Sequence, residues 1–451
     1  MMNKERLQNI LLILIKIFFI GLLLQFFLQT FIGFKIGRNG PIRSIIWMWK
    51  EIIILIFVGG IGYRTRKHHF WKQLLNNLSI KWFVVFIVGF GLLAILNGLA
   101  ITQTGVGATV MSLRYSITGF VIFLVFSVLS REFLDQKYAL ERWYSKVIKR
   151  LLRGSLFWWA IVFFVPRLLE FAGYNQYNYE GDMNIAPPAA YYSQYNQGYV
   201  RNQFLFERPI SRGFFLVAFW PMFFVLCIKR RGWKAFVFGG GLYGLAVLST
   251  FSRAAWIAWI TQTVILLLIE YRKDLKKALI YGGIPIIVIF GGVTYLGRDQ
   301  IINRQFSNTG HIKNLQIALE KIKDHPWFGE GPGTAGPASH HLGEGKEYNP
   351  ENQFLQIWIE YGIFGFIAWM VLYVRFLWLG WKSLRMSFQE KETKQQRYLG
   401  YVLFSLSLGI FGLGICGLVL HSFVDRMIVY PFMAMFGLVY GQYKKILIHK
   451  N

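Results

Sequence analysis

Arg253 combines a reactive residue type with a telling position. It lies in Thr250-Phe251-Ser252-Arg253-Ala254-Ala255-Trp256, where two long apolar runs meet. A guanidinium at the edge of a membrane is costly and by default marks a functional partner. Its planar fork matches phosphate oxygens. The plainer alternative is an arginine that snorkels and anchors a span end. Arg201, Arg208 and Arg212 punctuate the stretch Val200 to Gly213. Three guanidiniums beside a span entrance suit a diphosphate, or equally lipid headgroups, and Glu207 can pair with one of them. Lys50 and Arg114 sit within or at the ends of apolar runs and extend the set of candidate cations. Lys50 and its neighbour Glu51 do not face each other on a helix, so no mutual pair is expected.

Proton acceptors form the second set. Glu351 follows Pro350 and opens an apolar run, the first position of a helix. There it is either a general base or a plain dipole-compensating acid, contributing about 0.3–1 kcal/mol. A helix N-terminus weakens a carboxylate as a base but keeps it ionised. His311, His340 and His341 are alternative bases, and five of the eight histidines (311, 325, 340, 341 and 421) share the outer side in the topology below. His340-His341 suggests zinc, but no third ligand stands at a recognised spacing, so no metal site is expected. Nor is a cofactor: Gly331-Pro332-Gly333-Thr334-Ala335-Gly336-Pro337 lacks the Gly-Lys-Ser/Thr end of a phosphate-binding loop. Asn352 fixes loop geometry or contacts a ligand hydroxyl.

The elements that must hold these residues are spans. The chain has 451 residues, 55% hydrophobic and only 16% charged. That excludes a disordered chain and argues against an ordinary soluble enzyme. Twelve runs approach the length a bilayer requires: 10–34, 44–62, 82–101, 112–130, 153–171, 213–228, 234–250, 254–270, 277–296, 354–380, 398–418 and 427–443. The reading is therefore an all-α polytopic protein forming a single membrane domain over 1–451. The net charge of +27 raises nucleic acid as a partner, but the positions of the charges do not support it. With both termini cytoplasmic, the inner segments hold roughly six times as many Lys and Arg as the short outer loops. Two long loops then lie outside, 172–212 and 297–353, where function concentrates. The first carries seven tyrosines between Tyr174 and Tyr199, a mix with Asn and Gln suited to sugars or to an aromatic belt. Its acidic pair, Glu180 and Asp182, has a commonplace spacing.

Three stretches resemble a known family. Glu351-Asn352, followed by nine residues and then Gly362-Ile363-Phe364-Gly365, resembles the hallmark of the O-antigen ligase and O-antigen polymerase superfamily. His325-Pro326-Trp327-Phe328-Gly329-Glu330-Gly331 resembles its Pro-x-x-Gly-x-Gly stretch, and Ser252-Arg253-Ala254-Ala255-Trp256 resembles its Ser-Arg-Gly-Ala-Trp segment. Glu351 stands where the family carries a histidine, a variant similar to Gram-positive polysaccharide polymerases. His311 stands where the family often has an arginine.

The resemblance implies a GT-C-like fold of about twelve transmembrane helices. It implies metal-independent, inverting glycosyl transfer on the outer face of the cytoplasmic membrane. The donor would be an oligosaccharide on a polyprenyl diphosphate, with membrane lipids and other polysaccharide-assembly proteins as partners. Glu351, Arg253, His311, His340 and His341 would be the catalytic candidates. Arg201, Arg208, Arg212, Asn352, Arg114 and Lys50 would bind substrate. The expected activity is a polymerase of lipid-linked repeat units for a capsule, exopolysaccharide or similar glycan. A ligase handing a finished chain to another acceptor is the nearest alternative. A flippase for the same lipid is the alternative of another class, but it calls for midplane charges and repeat symmetry, and few charges lie mid-span.

Overall fold

The computed structural model describes residues 4–36, 49–65, 78–135, 140–164, 191–193, 200–206, 208–228, 236–272, 305–341, 348–389 and 392–448, with scattered positions between 274 and 295. Most of the expected span 277–296 and most of the tyrosine-rich loop, with Glu180 and Asp182, lie outside these. In chain order the helices are α1 (Lys4–Ile36), α2 (Trp49–Thr65), α3 (Leu78–Leu96, running into a π-helical turn Asn97–Ile101), α4 (Val106–Ser116), α5 (Thr118–Phe133) and α6 (Leu140–Phe164). Two short strands follow, β1 (Tyr191–Ser193) and β2 (Val200–Asn202), paired antiparallel. Then come α7 (Pro209–Phe223), α8 (Gly241–Leu248), α9 (Arg253–Glu270), α10 (Gln305–Asp324), α11 (Gln353–Ser387), α12 (Lys394–Gly417) and α13 (Arg426–Ile448).

This is an all-α polytopic membrane protein. Among the described residues six helices are long and apolar enough to cross a bilayer: Glu5–Gln25, Ile80–Ile101, Pro209–Leu226, Arg253–Glu270, Gln353–Ser387 and Lys394–Gly417. A seventh span arises if α4 and α5, bent by 54° at their junction, count as one. Six of the twelve expected runs (10–34, 82–101, 213–228, 254–270, 354–380 and 398–418) coincide with these helices, and others differ among the described residues. The run 44–62 is described only from Trp49, within α2. The run 112–130 starts earlier, at Val106, and breaks at Ile117. The run 153–171 belongs to a helix that begins at Leu140 and carries its basic residues with it. The run 234–250 yields only the short helix α8 after a π-helical turn.

The spans are apolar on every side, which places one face in protein and the other in lipid. In α3, Phe83, Ile87, Phe90 and Ala94 are buried, while Trp82, Val85, Val88 and Leu92 are exposed. In α1, Ile15, Phe18, Phe19 and Leu22 are buried, while Ile10, Ile13, Ile17 and Ile20 are exposed. In each helix both sets recur at helical spacing, so a single sequence run fills both environments.

Two compact units interleave along the chain. Unit 1 comprises Met1–Phe57 and Glu132–Asn303; unit 2 comprises Val58–Arg131 and Arg304–Asn451. The core of unit 1 is aromatic: Phe19 meets Tyr144 at 4.6 Å between ring centroids, Tyr144 meets Phe219 at 5.3 Å, and Trp220 meets Tyr243 at 4.8 Å. Unit 2 is built around Phe376 of α11, which packs on Phe83, Phe123 and Phe436 at 4.8, 4.7 and 5.1 Å. Such edge and tilted ring pairs each contribute about 0.5–1.5 kcal/mol beyond area burial.

Candidate functional site

In unit 2, two of the sequence stretches fold into one object. α11 is broken at Gly362, where φ is +65° and ψ −169°. A break strips neighbouring backbone groups of their helical partners, and in lipid each must find another. The His325-to-Gly331 loop supplies them. Glu330 N–H donates to Ile359 O at 2.7 Å, and Ile363 N–H donates to Pro326 O at 2.9 Å. Trp358 Nε1 donates to Pro326 O at 3.2 Å. From the π-helical turn after α3, Asn97 Nδ2 donates to Phe328 O at 2.6 Å and to Glu360 O at 3.2 Å. A Cβ on residue 362 would lie 2.0 Å from Trp327 O. The glycine therefore serves a positive φ and a close backbone contact.

Glu360, which the sequence analysis left without a role, is fully buried beside this break. Its Oε2 accepts from Ser112 Oγ at 2.7 Å and its Oε1 from Gly333 N–H at 3.2 Å. Ser112 also hydrogen-bonds the Tyr361 hydroxyl. A buried polar group is tolerated only with such partners. Glu360 thereby ties the Gly331–Gly336 run to α4 and α11. The signal was available: a lone acid within an apolar run.

Glu351 sits just outside the N-terminus of α11. It is not the first helical residue that the sequence suggested. Asn352 is the N-cap, its Oδ1 accepting from Phe354 N–H and Leu355 N–H at 2.9 and 3.1 Å. Asn352 Nδ2 donates to Leu418 O at 3.0 Å. The cap thus employs the carboxamide expected to contact substrate. Glu351 has φ +52°, a conformation non-glycine residues rarely take and one that clusters at functional sites. Its Oε2 lies 2.6 Å from His311 Nδ1 of α10, and both side chains are about one-third exposed. The His311 hydrogen bond holds the Glu351 carboxyl below its ordinary value, against an opposing effect of partial burial. α10 is held in place by Ala318 and Ile322, which cluster with Ala335 and Ile359, and by Tyr348, whose hydroxyl donates to Asn314 O at 2.8 Å. An ionised carboxylate, partly open to solvent and oriented by an imidazole N–H, is the geometry of a general base.

In unit 1, the Ser-Arg-x-Ala-Trp stretch forms a tight turn into α9. Phe251 has φ +49°, Ser252 is the N-cap, and Arg253 is the first helical residue, half-buried. Arg201 builds this turn: its Nε donates to Thr250 O at 2.9 Å and its Nη2 to Phe251 O at 3.3 Å. Arg212 lies inside α7, buried, donating to Asn202 O at 3.2 Å and to Ser155 Oγ at 2.7 Å. The loop expected to end at residue 212 therefore ends earlier, and two of its arginines brace backbone. Arg208 is the exposed N-cap position of α7. A helix N-terminus adds partial positive charge to that of Arg253, so the pair of effects favours an anion there.

Residues 235–370 match the family model described as O-antigen ligase. Over that stretch the chain is similar to the O-antigen ligase family. No curated protein matches the chain. The O-antigen ligase match takes in the Arg253 turn, the His325-to-Gly331 loop, His311, Glu351, Asn352 and the Gly362 break. Arg201, Arg208, Arg212, Arg114 and Lys50 precede it. Arg114 is half-buried in the last turn of α4. Lys50 is fully buried with Nζ 3.7 Å from Glu51 Oε2, a pairing the sequence argued against; the long side chains reach around the helix although their Cβ atoms diverge. His340 and His341 close a 3-10 helix, Gly336–His341, and their side chains lie outside the described part. Among the described residues no group of three His, Cys, Asp or Glu side chains gathers as a metal site requires.

Proposed function

We propose that this protein is a glycosyltransferase that joins polyprenyl-diphosphate-linked oligosaccharide repeat units on the outer face of the cytoplasmic membrane. The observation that carries the proposal is the His311–Glu351 pair, set at the mouth of the broken helix within the O-antigen ligase match. In this reading Glu351 accepts the proton of a sugar hydroxyl as that oxygen attacks the anomeric carbon of the donor. The bond from that carbon to the diphosphate oxygen breaks, and the polyprenyl diphosphate leaves with the electron pair. One attack from the face opposite the leaving group inverts the anomeric centre and needs no metal. Arg253 is by itself a proposed diphosphate-binding residue, on residue type and on the anion preference of its helix start.

The test uses purified protein in lipid nanodiscs with a polyprenyl-diphosphate-linked repeat unit. Wild type is expected to give a ladder of products and free polyprenyl diphosphate. Glu351→Gln is expected to lose at least about 10²-fold in rate, the usual scale of a general base. Absence of both ladder and released diphosphate from folded protein would sink the reading. The family's own description favours a second reading, a ligase. It uses the same donor chemistry and differs in the acceptor: it predicts a single transfer to a separate acceptor and no ladder.

A further inference from the structure

The turn after α12 holds a group that the reaction as proposed does not use. His421 hydrogen-bonds the side chain of Asn349, and the same Asn349 Oδ1 accepts from Glu351 N–H at 3.0 Å. A backbone N–H only donates, so the Asn349 atom between them is an oxygen, and the His421 atom facing it, Nε2, must carry the proton. The other ring nitrogen, Nδ1, is shut off from solvent and has no partner among the described residues. It is therefore the unprotonated nitrogen of a neutral imidazole. Burial pushes the pKa of this histidine down to about 4, in agreement with that tautomer. Two further bonds stitch the same turn to the start of α11: Asn352 Nδ2 to Leu418 O at 3.0 Å, and Phe423 N–H to Gln353 Oε1 at 3.3 Å. Between these stitches Glu351 is kept at φ +52°, which would relax without support.

We infer that His421 is a positioning residue for Glu351: its Nε2–H, donated to the Asn349 carboxamide, fixes the corner that aims the Glu351 carboxylate at His311. The inference rests on the general-base reading of Glu351 above. It assigns the Leu418–His421 turn a part in the reaction although it lies outside the family match.

Four variants decide it in the nanodisc assay. His421→Ala is expected to lower kcat by about 10²-fold, the scale of a misplaced catalytic group, with KM for the donor unchanged. His421→Gln is expected to recover most of the rate, because its carboxamide N–H reaches the same Asn349 oxygen. Asn349→Ala is expected to match His421→Ala, and the double variant to fall no further than either single one. Loss of folded protein would also lower apparent kcat at constant KM, so rates are normalised to folded protein by gel filtration, and recovery in His421→Gln at equal folded amounts separates positioning from stability. With Glu351→Gln inactive alongside, wild-type rates in His421→Ala, or no recovery in His421→Gln, overturn the positioning role. A fully active Glu351→Gln overturns the base reading itself, whatever His421 does.

Discussion

At the scale of single residues, His311 and Glu351 act as one unit. The His311 hydrogen bond keeps the Glu351 carboxyl below its ordinary value, so Glu351 stays ionised further into acid than a free glutamate. Activity that requires ionised Glu351 is thus present above the folded-state value and lost as pH falls through it. Replacing His311 by Ala removes the largest stabiliser of the anion. The acid limb of the kcat/KM profile is then expected to move to higher pH, together with a fall in kcat. A variant whose limb stays in place would show that Glu351 is not the titrating base. Sequence made this pair visible only as types: Glu351 and His311 were each legible as departures from the family pattern, but not as partners 2.6 Å apart. Arg201 and Arg212 show the opposite outcome. They read as anion-binding cations, yet the structure buries them against carbonyls. Backbone acceptors are invisible in a list of side chains. Glu360 was visible as a lone acid in an apolar run, but its partners, Ser112 and the N–H of Gly333, are far apart in sequence and were not.

At the scale of elements, the site depends on a helix that is made to fail at one place. The Gly-x-x-Gly spacing was legible, but its meaning was not: a run of apolar residues predicts an unbroken span, and only the partner loop shows where the freed backbone groups go. Gly362→Ala tests this directly. A methyl there meets Trp327 O at 2.0 Å and must also hold a positive φ, a backbone strain of about 1–3 kcal/mol before any clash is counted. Gly310, in the exposed start of α10, has no atom within 4 Å of an added Cβ. There alanine is expected to stabilise the helix by about 0.5–1 kcal/mol. Thermal unfolding in detergent should therefore move in opposite directions for the two variants, with transfer activity lost only in Gly362→Ala. Equal melting temperatures for wild type and Gly362→Ala would refute the role given to the break. The bend between α4 and α5 makes the same point: low-hydropathy residues such as Thr104, Gly105 and Gly107 read as loop, but the helix already starts at Val106.

At the scale of the whole molecule, orientation is set by charge. Most of the +27 net charge lies in segments that the positive-inside rule assigns to the cytoplasm, while His311, Glu351 and Arg253 fall in segments assigned to the opposite side. Reversing the chain would move a roughly sixfold excess of Lys and Arg across the membrane, against about 2.3 kcal/mol per charge for each 100 mV of potential. The rule is strong over short loops and weak over long ones, so the test belongs at the ends of short connections as well as at the site. Cys227 and Cys416 are the only cysteines, and replacing both by Ala gives a background for single-cysteine labelling. A cysteine at Thr309 or Leu418 is expected to react with a membrane-impermeant maleimide in spheroplasts. A cysteine at Gln395, in the first turn of α12 after the basic α11–α12 connection, is expected to react only after permeabilisation. Labelling of Gln395 but not Thr309 would invert the protein. It would put the general base on the cytoplasmic side, and extracytoplasmic chain assembly would have to be abandoned even if the transfer chemistry survived. The expected pattern would instead leave the donor's sugars to be flipped across the membrane before this enzyme meets them.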